Sequence, residues 1–402
     1  MSDWNVIPIK QLGRVVTGKT PPTASQEYYG GDELFVSPKD LTRDSCFVSE
    51  TETKITASAL EKFKGQVIPQ NSVMFTSLSF AFGKMGITTQ PCITNQQINT
   101  IVPNEEHNYR FVYYLLRTYE PIIFSYNSGI DTPIVPKSVF ENIKVRRPKL
   151  ELQKKIAAAL STYDDLIDNN RRRIGLLAQA AEELYREWFV RFRFPGYQQT
   201  RFEKGIPSTW KMKKFGEFCG LKRGYDLPDA QIEDGNFPII ASTSIKAYHN
   251  QFKVEPPVIC TGRSGSLGTV LFVNERAWPL NTALYVQKFY GNSPYLIYFT
   301  LKNMGLASFN SGAGVPSLNR NHLNGISIAV PDKPLQQAFD KHVSVLFNQK
   351  DKLVEACSSL QKSRNALLTR LISGKLSVDQ LDIHFPPSMR EVDATQQEIA
   401  HA

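Results

Sequence analysis

The sequence predicts an α+β protein, in which two pseudo-symmetric α/β domains are separated by two long helices that pair as an antiparallel coiled coil. Three observations predict this fold class. The chain has 402 residues, which is more than one ordinary hydrophobic core organises. The sequence also repeats itself at a fixed shift, and each copy of the repeat ends in a long heptad pattern.

The repeat is clearest where SGIDTPIVPKSVFENIKVRRPKLELQ aligns with SGAGVPSLNRNHLNGISIAVPDKPLQ. No gap is needed, and Ser128 falls on Ser311, a shift of 183 residues. The same register continues downstream and places Leu184 on Leu367. Upstream, the copies share only strand-like alternation and glycine positions, as in WNVIPIKQLGRVVTG and WKMKKFGEFCGLKRG. The predicted order is therefore variable segment, helix, variable segment, helix.

This order sets the predicted domain boundaries. The first domain covers residues 1–150, the central helix 151–194, the second domain 195–333 and the distal helix 334–384. Pro148 precedes the central helix and Pro195-Gly196 follows it, whereas Gly374 closes the distal helix. The tail, residues 385–402, contains two prolines followed by mostly polar residues, so we expect it to be disordered.

Both helical segments carry apolar residues at alternating steps of three and four, which is typical of a coiled-coil seam. The first seam consists of Ile156, Leu160, Tyr163, Ile167, Asn170, Ile174, Leu177 and Leu184. The second consists of Phe339, Val343, Leu346, Leu353, Leu360 and Leu367. Lys350 and Arg364 interrupt the second seam, so this helix needs a partner. The alternative is two unrelated core helices in two separate domains.

Composition limits the partners and the location of the protein. The formal charge of +9 favours a polyanionic partner such as nucleic acid. No uncharged stretch lacks polar residues, and MSDWNVIPIK is not a secretory signal, so we expect a cytoplasmic protein. The five scattered cysteines fit reduced thiols, and the six dispersed histidines predict no metal site.

One stretch has the spacing of a phosphate loop: GRVVTGKT, residues 13–20, fits GxxxxGK[ST], but it continues the strand-like alternation of WNVIPIKQLGRVVTG, so we do not expect it to bind ATP. We find no Asn/Asp-Pro-Pro-aromatic motif of the kind found in amino-methyltransferases. The stretch TGRSGSLGTV spaces its glycines every third residue, which favours a turn between strands. A nuclease built from dispersed acidic residues remains an alternative.

A resemblance to a known family enters with LQKKIAAALSTYDDLIDNNRRRIGLLAQAAEELYREWFVRFRFPGY. This stretch closely resembles the central conserved region of the specificity subunits of type I restriction-modification enzymes. Trp4 and Trp210 at the start of the variable segments, SGIDTP and SGAGVP, and a PxxxLQ motif at each helix entrance are similar too. The resemblance spans nearly the whole chain. It implies two target-recognition domains that each read one half of a split double-stranded DNA site, separated by helices that fix the gap.

The resemblance also implies partners and a division of labour. The helices would dock two modification subunits, which are methyltransferases, and restriction subunits with translocase and nuclease activity would complete the complex. This chain would be non-catalytic and hold no cofactor, whereas S-adenosylmethionine, ATP and Mg would be bound by the partner subunits. The alternative function is a coiled-coil scaffold or adaptor without DNA specificity.

Side chains that read DNA bases are typically Arg, Lys, Asn and Gln, on a framework that holds phosphates. In the first domain the candidates are Lys19, Thr20, Ser77, Ser79, Lys84, Asn95, Gln96, Gln97 and Asn127. In the second domain they are Arg223, Tyr225, Arg263, Ser264, Asn281, Asn310, Asn319 and Arg320. For each one the alternative is a structural role, because loop Asn and Ser residues commonly cap turns.

The two ends of the central helix carry different side chains. Arg171, Arg172 and Arg173 are consecutive and cannot share one helix face, so we expect mainly solvated charges. One or two of them could instead bridge to an acidic partner or a phosphate. The aromatic residues at the far end are expected to pack against the second domain rather than against another protein: Trp188, Phe189, Phe192 and Phe194.

Overall fold

The computed structural model describes residues 4–43, 45–78, 81, 83–128, 134–310 and 316–389. The chain forms two compact units. Unit 1 comprises Met1–Arg172 and Leu353–Ala402, and unit 2 comprises Arg173–Lys352. Each long helix is therefore shared between the units, whereas the sequence predicted the helices as segments separate from the domains.

The strands and helices of unit 1 alternate irregularly along the chain. Its strands are β1 (Asn5–Pro8), β2 (Gly13–Thr17), β3 (Tyr29–Val36), β4 (Phe47–Val48), β5 (Thr53–Ile55), β6 (Val73–Thr76), β7 (Met85–Thr88), β8 (Cys92–Thr94), β9 (Ile98–Pro103) and β10 (Lys144–Arg147). Its helices are α1 (Ala57–Lys62), α2 (Tyr109–Ser125), α3 (Lys137–Phe140) and the first part of α4 (Leu150–Tyr185).

Unit 2 follows a similar order. Its strands are β11 (Phe202–Glu203), β12 (Ile206–Pro207), β13 (Lys211–Lys214), β14 (Gly220–Arg223), β15 (Phe237–Ile240), β16 (Ile245–His249), β17 (Val258–Gly262), β18 (Val270–Val273), β19 (Trp278–Pro279), β20 (Ala283–Lys288) and β21 (Ser327–Val330). Its helices are the second part of α4, α5 (Phe215–Phe218), α6 (Pro294–Asn303), α7 (Arg320–Asn324) and the first part of α8 (Lys333–Ile372). The second part of α8 belongs to unit 1.

The sheets of the two units share one strand order, except that β4 at the edge of the large sheet of unit 1 has no counterpart in the large sheet of unit 2. Unit 1 has the sheets β2-β9-β6-β7-β4 and β5-β3-β8, and β1 pairs with β10. Unit 2 has the sheets β14-β20-β17-β18 and β16-β15-β19, and β13 pairs with β21. The small sheet of each unit contains one parallel pair, β3 with β8 and β15 with β19. The internal repeat therefore extends into the variable segments, where the two sequences agree only loosely.

The PxxxLQ motif has the same structural role in both units. The side-chain oxygen of Gln153 accepts a hydrogen bond from the backbone N–H of Asn108, the N-cap of α2, at 3.1 Å. Gln336 accepts the equivalent bond from Ser293, the N-cap of α6, at 2.9 Å. Each glutamine also donates to the carbonyl group five residues before it. Both buried side chains thus join the entrance of a long helix to the first turn of another helix.

The long helices pair antiparallel, as the seams predicted. In unit 1, the thiol of Cys357 lies 3.8 Å from the carbonyl oxygen of Ile167. In unit 2, the rings of Tyr185 and Trp188 contact Phe339, with centroids 6.4 and 5.9 Å apart. The residues of both predicted seams are buried or half-buried. Their apolar area therefore stabilises the pairing and the core of each unit.

The first residues of the tail are ordered, which corrects the expected disorder for this part. Pro387–Met389 form one 3-10 turn, and Met389 packs against the core of unit 1. The Ser388 hydroxyl donates to Asp165 at 2.7 Å, and its carbonyl accepts a hydrogen bond from Arg110 at 2.6 Å. These contacts stabilise the segment. The expectation for residues 390–402 lies outside the described residues.

Candidate nucleic-acid interface

Several candidates of the second half line one open cavity in unit 2. Its volume is about 650 Å³, and the residues around it come from the end of β14, the turn after β17 and the start of α7. The candidates that line it are Arg223, Tyr225, Arg263, Asn319 and Arg320. These residues are far apart in sequence, so it is the packing of the sheet and α7 that brings them together.

The cavity is rich in positive charge. Lys222 lines it beside the three arginines, and Asp226 is the one acidic residue among the lining residues. Arg223 lies 3.5 Å from the Asp226 carboxylate, and about half of its side chain is exposed. A concave surface with an excess of cations attracts polyanions, and a guanidinium group can bind phosphate oxygens or the edge of a guanine.

Backbone contacts hold the two remaining arginines in place. Arg263 lies in the turn between β17 and β18, which confirms that TGRSGSLGTV connects two strands. Its carbonyl accepts a hydrogen bond from the N–H of Leu318 at 2.8 Å. The Arg263 guanidinium donates to the carbonyl of Asn281 at 3.2 Å, and that of Arg320 to Leu221 at 3.3 Å. A guanidinium has five N–H groups, so both retain donors for a ligand.

Three candidate asparagines of unit 2 have structural roles. A structural role is the alternative to DNA contact that the sequence left open for every candidate. Asn319 is the N-cap of α7 and accepts a hydrogen bond from the backbone of Asn321 at 3.0 Å. Asn310 accepts one from the backbone of Ser317 at 2.9 Å. Asn281 donates to the carboxylate of Asp226. Their side chains hold loops around the cavity, so the arginines are its stronger candidates for ligand contact.

Two glycines explain the shape of the loops that carry candidates in both units. A Cβ on Gly18, after β2, would lie 2.2 Å from the carbonyl oxygen of Thr94. A Cβ on Gly224, after β14, would lie 2.2 Å from the carbonyl oxygen of Leu280. Only glycine permits this approach of two backbones. In unit 1 the close contact places Lys19 and Thr20 beside the loop that precedes β9. In unit 2 it places Tyr225 beside the loop that precedes β20. The hydroxyl of Tyr225 is also 3.0 Å from that of Tyr285.

Candidates of unit 1 form a hydrogen-bonded cluster. The Thr20 hydroxyl donates to the side-chain oxygen of Gln96 at 2.5 Å and accepts from the Asn95 amide at 3.1 Å. The Asn95 oxygen accepts from the backbone of Gln97 at 2.9 Å. Lys19 is exposed next to this cluster. The arrangement joins the loop after β2 to the loop before β9, so at least four candidates share one surface.

Other candidates have structural surroundings. Ser77 is only 3% exposed, and its hydroxyl donates to the carbonyl of Gln97 at 2.9 Å, so burial removes it from a DNA-facing surface. The Lys84 ammonium donates a hydrogen bond to the carbonyl of Pro38 at 3.4 Å. The Asn127 amide donates one to the carbonyl of Phe124 at 2.7 Å. Ser264 accepts a hydrogen bond on its carbonyl from Ser242. Ser79 lies outside the described residues.

Sequence reasoning missed a second basic cavity, in unit 1. Its volume is about 490 Å³, and Lys10, Arg14 and Arg147 line it together with Glu106. Lys10 and Arg14 alone gave no signal, because Arg147 lies far along the chain and reaches the cavity through the pairing of β1 with β10. Lys222 was also missed, although it directly precedes the candidate Arg223.

The arginines and the aromatic residues of the central helix have the surroundings that the sequence predicted. Arg171 lies 3.5 Å from Asp168, and Arg172 and Arg173 are exposed. The helix ends in a π-helical turn at Arg186–Val190, and the aromatic side chains beyond Leu184 pack in the core of unit 2. Phe189, Phe192 and Phe194 surround Trp210, with ring centroids 5.3 to 5.9 Å away. The predicted packing against the second domain is confirmed.

Neither a membrane-spanning helix nor a metal-binding cluster occurs among the described residues. No helix in this part of the chain combines the length and apolar composition that crossing a bilayer requires. The same residues contain no cluster of three or more His, Cys, Asp and Glu that could hold a metal ion. All five cysteines are buried and unpaired by disulfides.

Comparisons with known proteins place this architecture in a family. The family described as "Type I restriction modification DNA specificity domain" matches residues 1–179 and 207–359. The type I restriction enzyme MjaIX specificity subunit of Methanocaldococcus jannaschii is 28% identical over 417 residues, which cover 94% of this chain and 95% of that protein. The HindI specificity subunit of Haemophilus influenzae is 28% identical over 178 residues, which cover 42% of this chain and 38% of that protein.

A solved structure shares the fold. The crystal structure of a type I restriction-modification S subunit from M. genitalium superposes with a TM-score of 0.54 at 17% identity, and the match covers 92% of this chain and 96% of that one. The family match covers both halves of the chain, each with a variable segment and part of a long helix. The chain therefore belongs to the type I restriction-modification DNA specificity family.

Proposed function

We propose that this chain is the non-catalytic specificity subunit of a type I restriction-modification complex and reads a bipartite double-stranded DNA site, one part with each unit. The observation that carries the proposal is the duplicated unit topology, since two similar readers on one chain suit two half-sites. The basic cavity of unit 2 and the Thr20–Asn95–Gln96 cluster of unit 1 are the surfaces that we assign to DNA.

The long helices are the docking surface that we propose for two modification subunits. In unit 1, Leu166 and Val354 are 46% and 50% exposed, and in unit 2, Leu176 and Val345 are 64% and 52% exposed. Each unit thus presents apolar side chains on both helices, outside the seam. Exposed apolar residues on a helix face favour a protein partner.

The chemistry of the complex belongs to the partners in this proposal. Modification subunits would bind S-adenosylmethionine, and restriction subunits would use ATP and Mg. This chain would hold no cofactor and act in the cytoplasm. Its own contribution is to bind, with arginine and lysine side chains that offer positive charge and hydrogen-bond donors to a polyanion.

The test replaces the cavity arginines and reads the methylated sequence. Arg263→Ala and Arg320→Ala variants are expressed with the modification subunit, and methylated sites are mapped by sequencing genomic DNA. We expect each variant to relax or abolish recognition in one half of the site and to leave the other half unchanged. Loss of a bidentate base contact weakens discrimination by about 1–3 kcal/mol.

The matched control is Arg276→Ala. Arg276 is an exposed arginine of unit 2 that pairs with Glu255 at 3.0 Å and does not line the cavity. We expect the wild-type motif from this control. An unchanged motif in both cavity variants would contradict the assignment of the cavity, and no defined motif in the wild type would favour a scaffold without DNA specificity.

A further inference from the structure

Three polar side chains meet where α2, α4 and α8 pack together in unit 1. Asp164 on α4 is 5% exposed and Arg364 on α8 is 7% exposed. One carboxylate oxygen of Asp164 accepts a hydrogen bond from the Arg364 guanidinium, and the other accepts one from the hydroxyl of Tyr114 on α2. Burial and the carboxylate raise the pKa of Tyr114 well above its usual value, so this hydroxyl stays protonated and donates. Removal of either charged partner would leave a buried, unpaired charge.

The repeat provides an apolar counterpart of the charge pair in unit 2. The shift that places Ser128 on Ser311 also places Asp164 on Phe347 and Ala181 on Arg364. Ala181 and Phe347 both belong to the buried core of unit 2. The same two helix positions therefore hold an ion pair in one unit and two apolar side chains in the other.

The third member of the cluster follows the same rule. Aligning the N-caps Asn108 and Ser293 places Tyr114 of α2 on Phe299 of α6. The ring of Phe299 lies 6.1 Å from that of Phe347, centroid to centroid. This three-helix junction therefore forms with apolar residues in unit 2, so the architecture does not require the polar cluster of unit 1.

The difference matters because α4 and α8 are copies of one helix, and each could pair with the same helix of a second chain. In an antiparallel pair of two α4 helices, Asp164 would face Ala181. In a pair of two α8 helices, Arg364 would face Phe347. A dimer formed by exchange of like helices would bury carboxylates and guanidinium groups without partners, whereas the α4–α8 pair leaves neither unpaired.

We propose that Asp164, Arg364 and Tyr114 form a pairing lock, which selects the pairing of α4 with α8 over the pairing of like helices from two copies of the chain. A single buried polar position is known to select partner and register in coiled coils at some cost in stability. The lock also explains why Arg364 interrupts the apolar seam.

The test detects pairing of like helices in the full-length protein by disulfide formation. Cys357 contacts Ile167 in the native pair, and the repeat places Lys350 on Ile167 and Ile174 on Cys357. In a pair of two α8 helices, residue 350 of one chain would therefore face Cys357 of the other. A Lys350→Cys substitution reports this pairing as a disulfide-linked dimer on a non-reducing gel, because residues 350 and 357 of one helix are about 10 Å apart.

Two variants remove the lock in the Lys350→Cys background. The first is Arg364→Ala, which leaves Asp164 unpaired. The second combines Tyr114→Phe, Asp164→Phe and Arg364→Ala, which copies unit 2 and leaves no charge at this junction of three helices. We expect a linked dimer that is roughly tenfold or more enriched over Lys350→Cys alone in both, with the larger amount in the second.

The controls separate loss of the lock from other effects. Arg370→Ala changes an exposed arginine of α8 and is expected to give no linked dimer beyond Lys350→Cys alone. Adding Cys357→Ala is expected to abolish the dimer, which assigns the bond to the α8 helices. Circular dichroism reports folding, and the apolar variant provides a test even where Arg364→Ala unfolds the protein. A folded apolar variant without linked dimer would overturn the pairing lock, and DNA binding does not enter the readout.

Discussion

His107 illustrates at the residue scale how the fold changes the chemistry of one side chain. Burial, followed by the nearby Arg147, lowers the pKa of His107 to about 4. One ring nitrogen lies 2.6 Å from the side-chain oxygen of Asn104, and the other has no hydrogen-bond partner among the described residues. The neutral form therefore fits the site, because a charged imidazolium would bring an unsatisfied donor and face a cation.

The sign of this shift predicts acid sensitivity. In the unfolded chain a histidine gains a proton near pH 6.5, whereas folded His107 gains it only near pH 4. Stability from the neutral form is therefore fully present above pH 6.5 and is lost as the pH falls toward 4. Between pH 7 and pH 5 we expect this residue to lower the free energy of unfolding by about 2 kcal/mol, and His107→Gln to remove that loss.

Urea titrations at both pH values measure the difference between His107→Gln and the wild type. His384→Gln, which changes an exposed histidine, is the matched control. If all three proteins lose the same free energy between pH 7 and pH 5, His107 is not the acid-sensitive group.

The two motif glutamines predict equal losses in the two units. Replacing Gln153 with Ala leaves the backbone N–H at the start of α2 and a buried carbonyl without a partner, and Gln336→Ala does the same at α6. Each unsatisfied buried group costs about 1–3 kcal/mol, so we expect each variant to lose about 2 kcal/mol or more. Differential scanning calorimetry of both variants checks this, with the exposed neighbour Gln337→Ala as the control. A melting temperature as high as that of the control would contradict the role.

At the scale of elements, the helices could be predicted and the sheets could not. A heptad pattern is local, so the sequence reveals the seam and its boundaries. The pairing of β2 with β9 joins residues more than eighty positions apart, and no local pattern encodes it. The same limit applies to Arg364. It interrupts its own helix pattern, and its partner Asp164 is 200 residues away, so only the folded helix pair shows that the interruption is a buried ion pair.

The same holds for the candidate site: its residue types could be predicted from the sequence, and their arrangement in space could not. Residue type and loop position identified Arg263 and Arg320, but their shared cavity depends on strand order and on α7. Ser77 itself is buried, and its hydroxyl donates to the carbonyl of Gln97, which residue type and loop position do not reveal. Lys350, the other interruption of the second seam, lies 4.5 Å from the ring centroid of Phe347. Its charge is stabilised by the ring and by Asp351, 3.8 Å away, which the heptad pattern does not show.

The exposed helix residues predict how the isolated chain behaves. Replacing Leu166 and Val354 with Lys removes the apolar surface that unit 1 presents on the two helices. We expect the double variant to scatter less light than the wild type when purified alone, and to bind the modification subunit roughly tenfold or more weakly. Gln179→Lys, at an exposed position of α4, is the control. Unchanged affinity for the modification subunit would place its docking surface elsewhere.

At the scale of the whole molecule, one chain contains what a symmetric dimer would provide. Both units share one strand order apart from β4, and both contain part of α4 and part of α8. Since α4 and α8 run on from one unit into the other, a change in helix length is the most direct change to the connection between the two readers. The proposed function therefore assigns the gap between the half-sites to the helices and the bases to the loops.

The gap should respond to helix length. Inserting seven residues after Arg172 and seven after Lys352 keeps the heptad phase of both helices and lengthens each by about 10 Å. At about 3.4 Å per base pair, we expect the gap in the methylated site to grow by about three base pairs while both half-site sequences stay the same. An insertion in α4 alone leaves the two seam positions of the added heptad without partners, so this control should lose stability and methylation. Sequencing of methylated sites distinguishes the outcomes. An unchanged gap in the double-insertion variant would mean that the helices do not set the spacing. The two units would then find their half-sites independently of helix length.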